Sequence, residues 1–392
     1  MAVFHWVLGL LLGAVWLHRL LDTALGMRRV ADISRPEWDC LPPGGNWPSV
    51  SIIVPARNEE EHIEEALSSK LRLEYDNYEV LAVNDRSGDS TGAILDRVAA
   101  RKSGDDKPRL RVLHVSQLPA GWLGKNHAMW QAAKSATGDW LLFTDADVHF
   151  RADALRRAVA YAEANSADHL VLFPTLIMHT MGERMMIAFF HSLFIFGHRP
   201  WKVDDPKTRD HMGVGAFNMV RRGVYQSIGT HEAIRLEIID DMKLGKLVKD
   251  KGFAQRNVVG RGLIRLRWAR GATGVIENLT KNMFALMLFR WPRTLGAAVL
   301  LLLLNVGPFL GVAFAPGWTR VGHGLAVAAI AALYARMAPP LGISSWYFLV
   351  HPASGSLFAF TLLRSAVHAL RHGGVVWRGT KYPLDVLRKG TS

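Results

Sequence analysis

Four short acidic stations stand out in this chain of 392 residues. They are Pro55-Ala56-Arg57-Asn58-Glu59-Glu60, Asn84-Asp85-Arg86-Ser87-Gly88-Asp89-Ser90-Thr91, Thr144-Asp145-Ala146-Asp147 and Ile239-Asp240-Asp241-Met242. Carboxylates in such groups can accept hydrogen bonds from a base or ribose, ligate a divalent cation through oxygen, or take a proton from an attacking hydroxyl. In an extended segment residues i and i+2 point the same way, so Asp145 and Asp147 are expected to face one site. One can bind a metal and the other fix a ribose or a bound water. Asp240 and Asp241 open a helix, where negative charge suits the dipole. Capping accounts for that pair as well as catalysis does; the catalytic alternative makes Asp241 a general base. The first two stations also have plain explanations. Asn58 can cap the helix after it, and Asp89 or Ser90 the next one. Asp85, at a strand end, can accept a hydrogen bond from a ligand.

Side chains with these tasks need rigid elements in front of them. Strand-like runs at 51–54, 79–83, 110–115 and 140–143 alternate with helical patterns at 59–71, 90–100 and 127–135. Such alternation predicts an α/β fold, a mostly parallel sheet with helices on both faces. Ligands of these sheets bind beyond the carboxyl ends of the strands, where the stations lie. No GxGxxG follows the first strand and no GxxxxGK[ST] occurs, which argues against a dinucleotide site of that type and against a P-loop. Repeats and low-complexity tracts are absent.

Hydrophobic residues make up 49% of the chain and charged ones 21%, with a net charge of +13 and one cysteine, Cys40. A lone thiol forms no internal disulfide and no cysteine zinc site, which fits a reducing compartment. The basic residues crowd beside apolar segments rather than forming runs with interleaved aromatics, so a membrane, not nucleic acid, is the expected partner. An apolar run at 2–21 is long enough to span, since about 20 helical residues cross a bilayer core. Arg19, Arg28 and Arg29 lie at its end and beyond, which as an anchor places the N-terminus outside and the chain after the run in the cytoplasm; a signal peptide, which wants its positive charge before the apolar part, or a buried core helix is the alternative. Further candidate spans are 295–316, the shorter 325–334, and 341–363, which contains His351 and Pro352. Three spans there would put the C-terminus outside, whereas the basic tail with Arg371, Arg378, Lys381, Arg388 and Lys389 argues for inside. The run 185–196 is too short to span and is either a core helix or an interfacial one. The expected organisation is an anchor at 1–24, a linker at 25–48, the catalytic domain at 49–270, an interfacial helix at 271–294, a transmembrane or re-entrant cluster at 295–369 and a basic tail at 370–392. This organisation describes a multi-pass inner-membrane protein with a cytoplasmic catalytic domain.

Taken together, the stations resemble glycosyltransferase family 2, which has a GT-A fold; the resemblance covers about residues 49 to 281. Its most specific part is Gly121-Trp122-Leu123-Gly124-Lys125-Asn126-His127, followed by Gly138-Asp139-Trp140-Leu141-Leu142-Phe143-Thr144-Asp145-Ala146-Asp147. This pairing, the flanking apolar segments and the tail Trp377-Arg378-Gly379-Thr380-Lys381-Tyr382 are similar to ceramide glucosyltransferases and to hopanoid- and carotenoid-associated glycosyltransferases. The resemblance implies that Pro55, Ala56 and Glu59 line a nucleotide pocket and that Asp85 binds the base. It implies that Lys125 reaches toward the diphosphate, Asp145 contacts the ribose and shares the metal, and Asp147 holds the metal, magnesium or manganese. Asp241 is then the base with Asp240 beside it, and Gly213, Gly215 and Asn218 belong to the loop bordering the acceptor. Many members carry QxxRW near the end of the domain. Here Ile264-Arg265-Leu266-Arg267-Trp268 lacks the glutamine, leaving Arg267 and Trp268 as the nearest counterparts.

The implied activity is metal-dependent inverting transfer from a nucleotide-sugar, UDP-sugars expected ahead of GDP-sugars, to the hydroxyl of a lipid such as a hopanoid, carotenoid or sphingolipid. A polysaccharide synthase, a polyprenyl-phosphate glycosyltransferase and a non-catalytic membrane scaffold are the alternatives. Product size separates the first. The second needs no strong base, and the third no turnover.

Overall fold

Runs of β-branched and aromatic residues build the frame on which the stations hang. The computed structural model describes residues 2–101 and 109–390, and these divide into two compact units. One comprises Val30–Ile177, Pro200–Arg267 and the described residues from Asp385; the other the described residues up to Arg29, Met178–Arg199 and Trp268–Leu384.

The first unit holds an eight-stranded sheet. Its strands are β1 (Ala31–Asp32), β2 (Val50–Ala56), β3 (Tyr78–Asp85), β4 (Leu110–Val115), β5 (Trp140–Phe143), β6 (His169–Phe173), β7 (Asn218–Arg221) and β8 (Gln255–Val259). Their order is β1-β8-β6-β7-β5-β2-β3-β4, with β7 alone antiparallel to its neighbours. β5 is buried at every residue and β2 at all but Pro55, as expected of strands covered on both faces. The chain runs β2, β3, β4 in one direction and then returns to add β5 on the other side of β2. That reversal opens a crevice at the carboxyl ends of β2 and β5. β7 enters at Asn218, opposite Phe143, so its preceding loop arrives at the same sheet end. The helix Asp240–Asp250 is fixed to the core through Leu244 and Val248, which join Ile53, Leu81, Leu141 and Phe143.

β4 and β5 have the limits expected from sequence, and the helices form at Ile63–Leu71, Thr91–Ala99 and Gly124–Ser135. Two local expectations fail. Asn58 caps no helix: the first helix starts at Ile63 after His62, too far for the Asn58 side chain to reach its free N–H groups. Asn58 instead takes a left-handed φ of 52°, accepts from the Gly88 N–H at 2.9 Å and donates its own N–H to Ser87 Oγ at 3.1 Å. It therefore ties the first station to the second. Asp89 does serve the next helix, accepting from the Thr91 N–H at 3.0 Å. The segment after β5 is also not extended, because Ala146 and Asp147 form a turn. The alternation that would aim Asp145 and Asp147 alike does not hold there.

The second unit is built from apolar helices, three of them long and apolar enough to cross a membrane: Val3–Arg29, Gly317–Leu341 and Ser345–Arg371. The run 295–316, expected as one span, is two helices, Trp291–Asn305 and Gly307–Phe314, bent by 46°. Pro308 causes the break, lacking an N–H and crowding the carbonyl four residues back. That carbonyl, on Leu304, accepts from Trp16 Nε1 at 2.8 Å instead. The short run 325–334 lies inside a longer helix, Arg320–Leu341, which ends at Gly342 in the left-handed conformation. The third candidate span starts later than expected, with Pro352 in the first helical turn, where it is harmless. His351 is buried but satisfied, its Nδ1 3.0 Å from Tyr334 Oη and its Nε2 3.0 Å from Asn305 Oδ1. The helix Met181–Gly197 is an interior helix of this unit, with the Phe189 ring 4.9 Å from that of Phe358 and tilted against it. Arg19, the polar break in the first run, donates to the Ile195 and Phe196 carbonyls at that helix's end.

The first helix meets Arg320–Leu341 through glycines, as small residues permit in lipid. A Cβ on Gly322 would lie 2.4 Å from the Gly9 carbonyl carbon, whereas one on Gly324 would meet nothing within 4 Å. Gly322→Leu is expected to destabilise the protein by about 1–3 kcal/mol, the usual cost of overpacking. Thermal melting in detergent should show the loss, with Gly324→Leu unchanged beside it.

Candidate active site

Lys125 is the centre of the candidate site. Its helix begins at Gly124, after Leu123, whose N–H donates to the Arg235 carbonyl at 2.8 Å. A Cβ on residue 124 would lie 2.4 Å from Asp85 Oδ2 and 2.6 Å from Arg86 Nη2, so any larger residue there would displace that ion pair. Asn126 binds the Ile234 and Glu237 carbonyls at 2.8 and 3.0 Å, drawing in the segment that leads to Asp240. The Lys125 ammonium then stands 2.9 Å from Asp145 Oδ1 and 3.4 Å from Asp240 Oδ2. Lys125, Asp145, Gly215, Asn218, Asp240 and Asp241 line one cleft.

The loop before β7 stitches the acids together. Gly215 accepts from the Asp145 N–H at 2.9 Å and donates its own N–H to Asp241 Oδ2 at 2.8 Å. Thr144 Oγ1 donates to the Ala216 carbonyl at 2.8 Å. Asp241 also accepts from the Met242 N–H at 2.8 Å. Two glycines allow backbone to touch backbone here. A Cβ on Gly213 would fall 1.8 Å from the Asp241 carbonyl oxygen, and one on Gly245 would fall 1.9 Å from that of Met212. The glycines expected at an acceptor loop are thus the positions where the loop meets the acid helix.

Burial and crowding set the charges. Burial raises Asp240 from 3.8 to about 7; Asp241 and Asp145 add to this, and Lys125 opposes it. Burial raises Asp241 as well, with Asp145 adding and Lys125 and the Met242 and Gly215 N–H groups opposing. Burial pulls the Lys125 ammonium down, but Asp145, Asp240 and Asp241 outweigh it and leave its pKa above the ordinary lysine value. His231, beside them in the cleft, is lowered to about 3 by burial and then by Lys125. It is neutral at physiological pH.

Asp147 lies outside that cleft lining. Burial, Asp145 and Glu59 raise it to about 6. Behind it sits Lys70, fully buried, donating to the Val148 carbonyl at 2.5 Å; burial lowers its pKa to about 7 against the pull of Asp147 and Asp145. The neighbouring Ser69 Oγ accepts from the Phe150 N–H at 3.0 Å. Among the described residues no three His, Cys, Asp or Glu side chains converge as a metal cage. Magnesium and manganese commonly rely on one or two carboxylates plus ligand phosphates. Asp147, whose proton affinity Asp145 raises, and Asp145 itself supply oxygen donors of the kind such a cation takes.

Of the other expected residues, Asp85 is bound bidentately by Arg86 at 2.8 and 3.1 Å, with Arg57 3.9 Å away. Its carboxylate is thus already engaged by guanidinium groups. Pro55 and Ala56 end β2, and the Glu59 N–H donates to Thr91 Oγ1 at 2.8 Å. Arg267 follows the strand Ile264–Leu266 and does not line the cleft. The Trp268 ring lies tilted 4.8 Å from that of Phe190, and its carbonyl accepts from Asn278. Sequence reasoning passed over Lys70, His231, His169 and Gln255. Lys70 carried a usable signal, since Ile63, Ala66, Leu67 and residue 70 share one buried helix stripe and a charge there is out of place. A single histidine such as His169 or His231 carries none.

Residues 51–229 match the family described as Glycosyl transferase family 2. The 4,4'-diaponeurosporenoate glycosyltransferase of Staphylococcus aureus strain MRSA252 is 23% identical over 350 residues, covering 87% of this chain and 90% of that protein. The mannosyltransferase of Pyrobaculum calidifontis, solved with GDP-Man and Mn2+, superposes with a TM-score of 0.56 at 19% identity, covering 93% of this chain and 99% of that one. The fold expected from the resemblance, GT-A, is the fold observed.

The charge balance has a consequence for stability. The folded pKa of Asp240, about 7, stands above its ordinary 3.8, so between those values the folded state binds more protons than the unfolded one. Stability from this group is lost as pH rises through that window. Asp240→Asn, which mimics the neutral acid, is expected to raise the melting temperature at pH 8 and to change it little at pH 4; melting curves at both pH values check this.

Proposed function

We propose, from the premise that this chain is a glycosyltransferase with a family 2 domain over residues 51–229, that it moves a sugar from a nucleotide-sugar to the hydroxyl of a membrane lipid with inversion at the anomeric carbon. The observation that carries this is Asp241. It is a carboxylate of raised proton affinity, aimed by two backbone N–H groups into the cleft that holds the Lys125 ammonium. Such a group can take the proton of an acceptor hydroxyl as that oxygen attacks. Lys125 faces the diphosphate, and Asp145 faces the ribose and shares the metal with Asp147. Pro55, Ala56 and Glu59 border the nucleotide, with Asp85 and its two arginines at the base end. Gly213, Gly215 and Asn218 shape the acceptor side. A bound magnesium or manganese ion supplies neutralisation of charge on the departing diphosphate.

Three helices among the described residues, long and apolar enough to cross a membrane, support membrane association. Arg19, Arg28 and Arg29 at the end of the first support a cytoplasmic catalytic unit in a multi-pass protein. A lipid acceptor suits that location, and the S. aureus relative is named for a carotenoid acceptor. The same name ends in "-oate", which favours a second reading in which the acceptor is a carboxylate. Such an oxygen has no proton to lose and needs no base.

The test is transfer of label from UDP- and GDP-sugars to native lipids by detergent-solubilised protein with magnesium or manganese. Asp241→Asn is expected to lower kcat by about 10²–10⁴-fold, the span of general-base catalysis, while nucleotide binding persists. The acid limb of kcat/KM should lie above the ordinary aspartate value of about 3.9, since Asp241 is raised. A mild Asp241→Asn phenotype with transfer intact would select the carboxylate acceptor; absence of transfer to any lipid would sink the proposal.

A further inference from the structure

A closed chain of buried polar groups runs behind the acid helix. His169 on β6, Asn218 on β7 and Gln255 on β8 are 0%, 2% and 1% exposed. His169 Nε2 meets Asn218 Oδ1, and Gln255 Nε2 lies 2.7 Å from His169 Nδ1. A single proton arrangement satisfies all of them. His169 is neutral with its proton on Nε2, donating to Asn218 Oδ1, while Nδ1 accepts from the Gln255 amide. Burial, which lowers His169 to about 4 against the Asn218 bond, keeps it so.

The ends of the chain grip backbone, not solvent. Asn218 Nδ2 donates to the Asp241 carbonyl at 3.3 Å. Gln255 Nε2 donates to the Gly245 carbonyl at 3.0 Å, and Gln255 Oε1 accepts from the Met212 N–H at 2.8 Å. Those contacts hold both sides of the place where Gly213 and Gly245 let the loop and the acid helix touch. The Asp241 carboxylate hangs on the result, because its partner Gly215 N–H belongs to that loop. Neither His169 nor Gln255 lines the cleft. We infer that His169 and Gln255 are positioning residues for sugar transfer, a polar brace across three strands that fixes the loop 212–218 against the acid helix and so aims Asp241.

The inference rests on Asp241 being the base. An apolar residue at 169 leaves Asn218 and Gln255 to find other partners, which loosens the loop and the helix start, while the loops after β2 and β3 keep their own bonds. The experiment measures kcat and donor KM for wild type, His169→Leu and His169→Gln, with hydrogen exchange of peptides covering 212–218, 240–245 and 50–56. His169→Leu is expected to lower kcat by about 10–100-fold, as small misplacements of a reacting group do, with donor KM within about 3-fold of wild type. A glutamine amide can accept from Gln255 and donate to Asn218, so His169→Gln should recover most of the rate. Exchange should quicken in 212–218 and 240–245 of the leucine variant but not in 50–56. Wild-type kcat in His169→Leu, or equal exchange in both proteins, overturns the inference, as does a loss that His169→Gln does not repair. If wild type transfers sugar to no acceptor, the functional proposal fails, and the exchange comparison alone decides the brace. If His169→Leu does not fold, Gln255→Met is judged by the same criteria.

Discussion

One ammonium among three carboxylates is the constraint around which the catalytic unit is arranged. Buried acids this close raise one another's proton affinity, and Lys125 is the cation that lets them share a cleft, 2.9 Å from Asp145 and 3.4 Å from Asp240. Each partner comes from a different part of the chain. Lys125 leads the helix after β4, Asp145 follows β5, and Asp240 opens the helix that packs Leu244 and Val248 into the core. The reversal of strand order beside β2 brings the sheet ends together, and the one antiparallel strand, β7, delivers the loop that binds the acids to each other.

Precision at that point comes from missing side chains as much as from present ones. Gly124 lets the lysine helix start against Asp85, and Gly213 and Gly245 let the loop and the acid helix meet backbone to backbone. Gly215 lies against the Asp145 carboxylate, and its peptide group serves both Asp145 and Asp241. Such close approach leaves few free torsions near the acids, so their geometry is fixed by the backbone around them.

The apolar unit solves a different problem by similar means. Backbone and side-chain polar groups away from water must find partners within the protein. Trp16 takes the carbonyl freed by Pro308, Arg19 takes the last carbonyls of a neighbouring helix, and His351 is shared by Tyr334 and Asn305. Residues that read as interruptions in the apolar runs are therefore the ones that join the helices.

Much of this was legible from sequence where the signal is local. Apolar runs of four to eight residues marked β2 to β5, and the acids stood just beyond them because loops at strand ends are where polar groups can be exposed to a ligand. The pairing of the lysine motif with the strand and acids of 138–147 pointed to the family and the GT-A fold. Local pattern failed where partners are distant. Asn58 looked like a cap because capping needs only neighbours, yet its partner is Gly88. The acids at 145 and 147 looked alike because alternation presumes extended chain, yet a turn separates them. Nothing in the sequence joined His169 to Gln255, or Lys70 to Val148, since those bonds exist only once strands and helices far apart in the chain have packed. Sequence by itself determined which elements form and which residue types stand at their ends, since these depend on short-range pattern. Tertiary structure alone decided which acids share a cation, which glycines are contacts and which buried groups brace the site, because each depends on distances that only the folded chain sets.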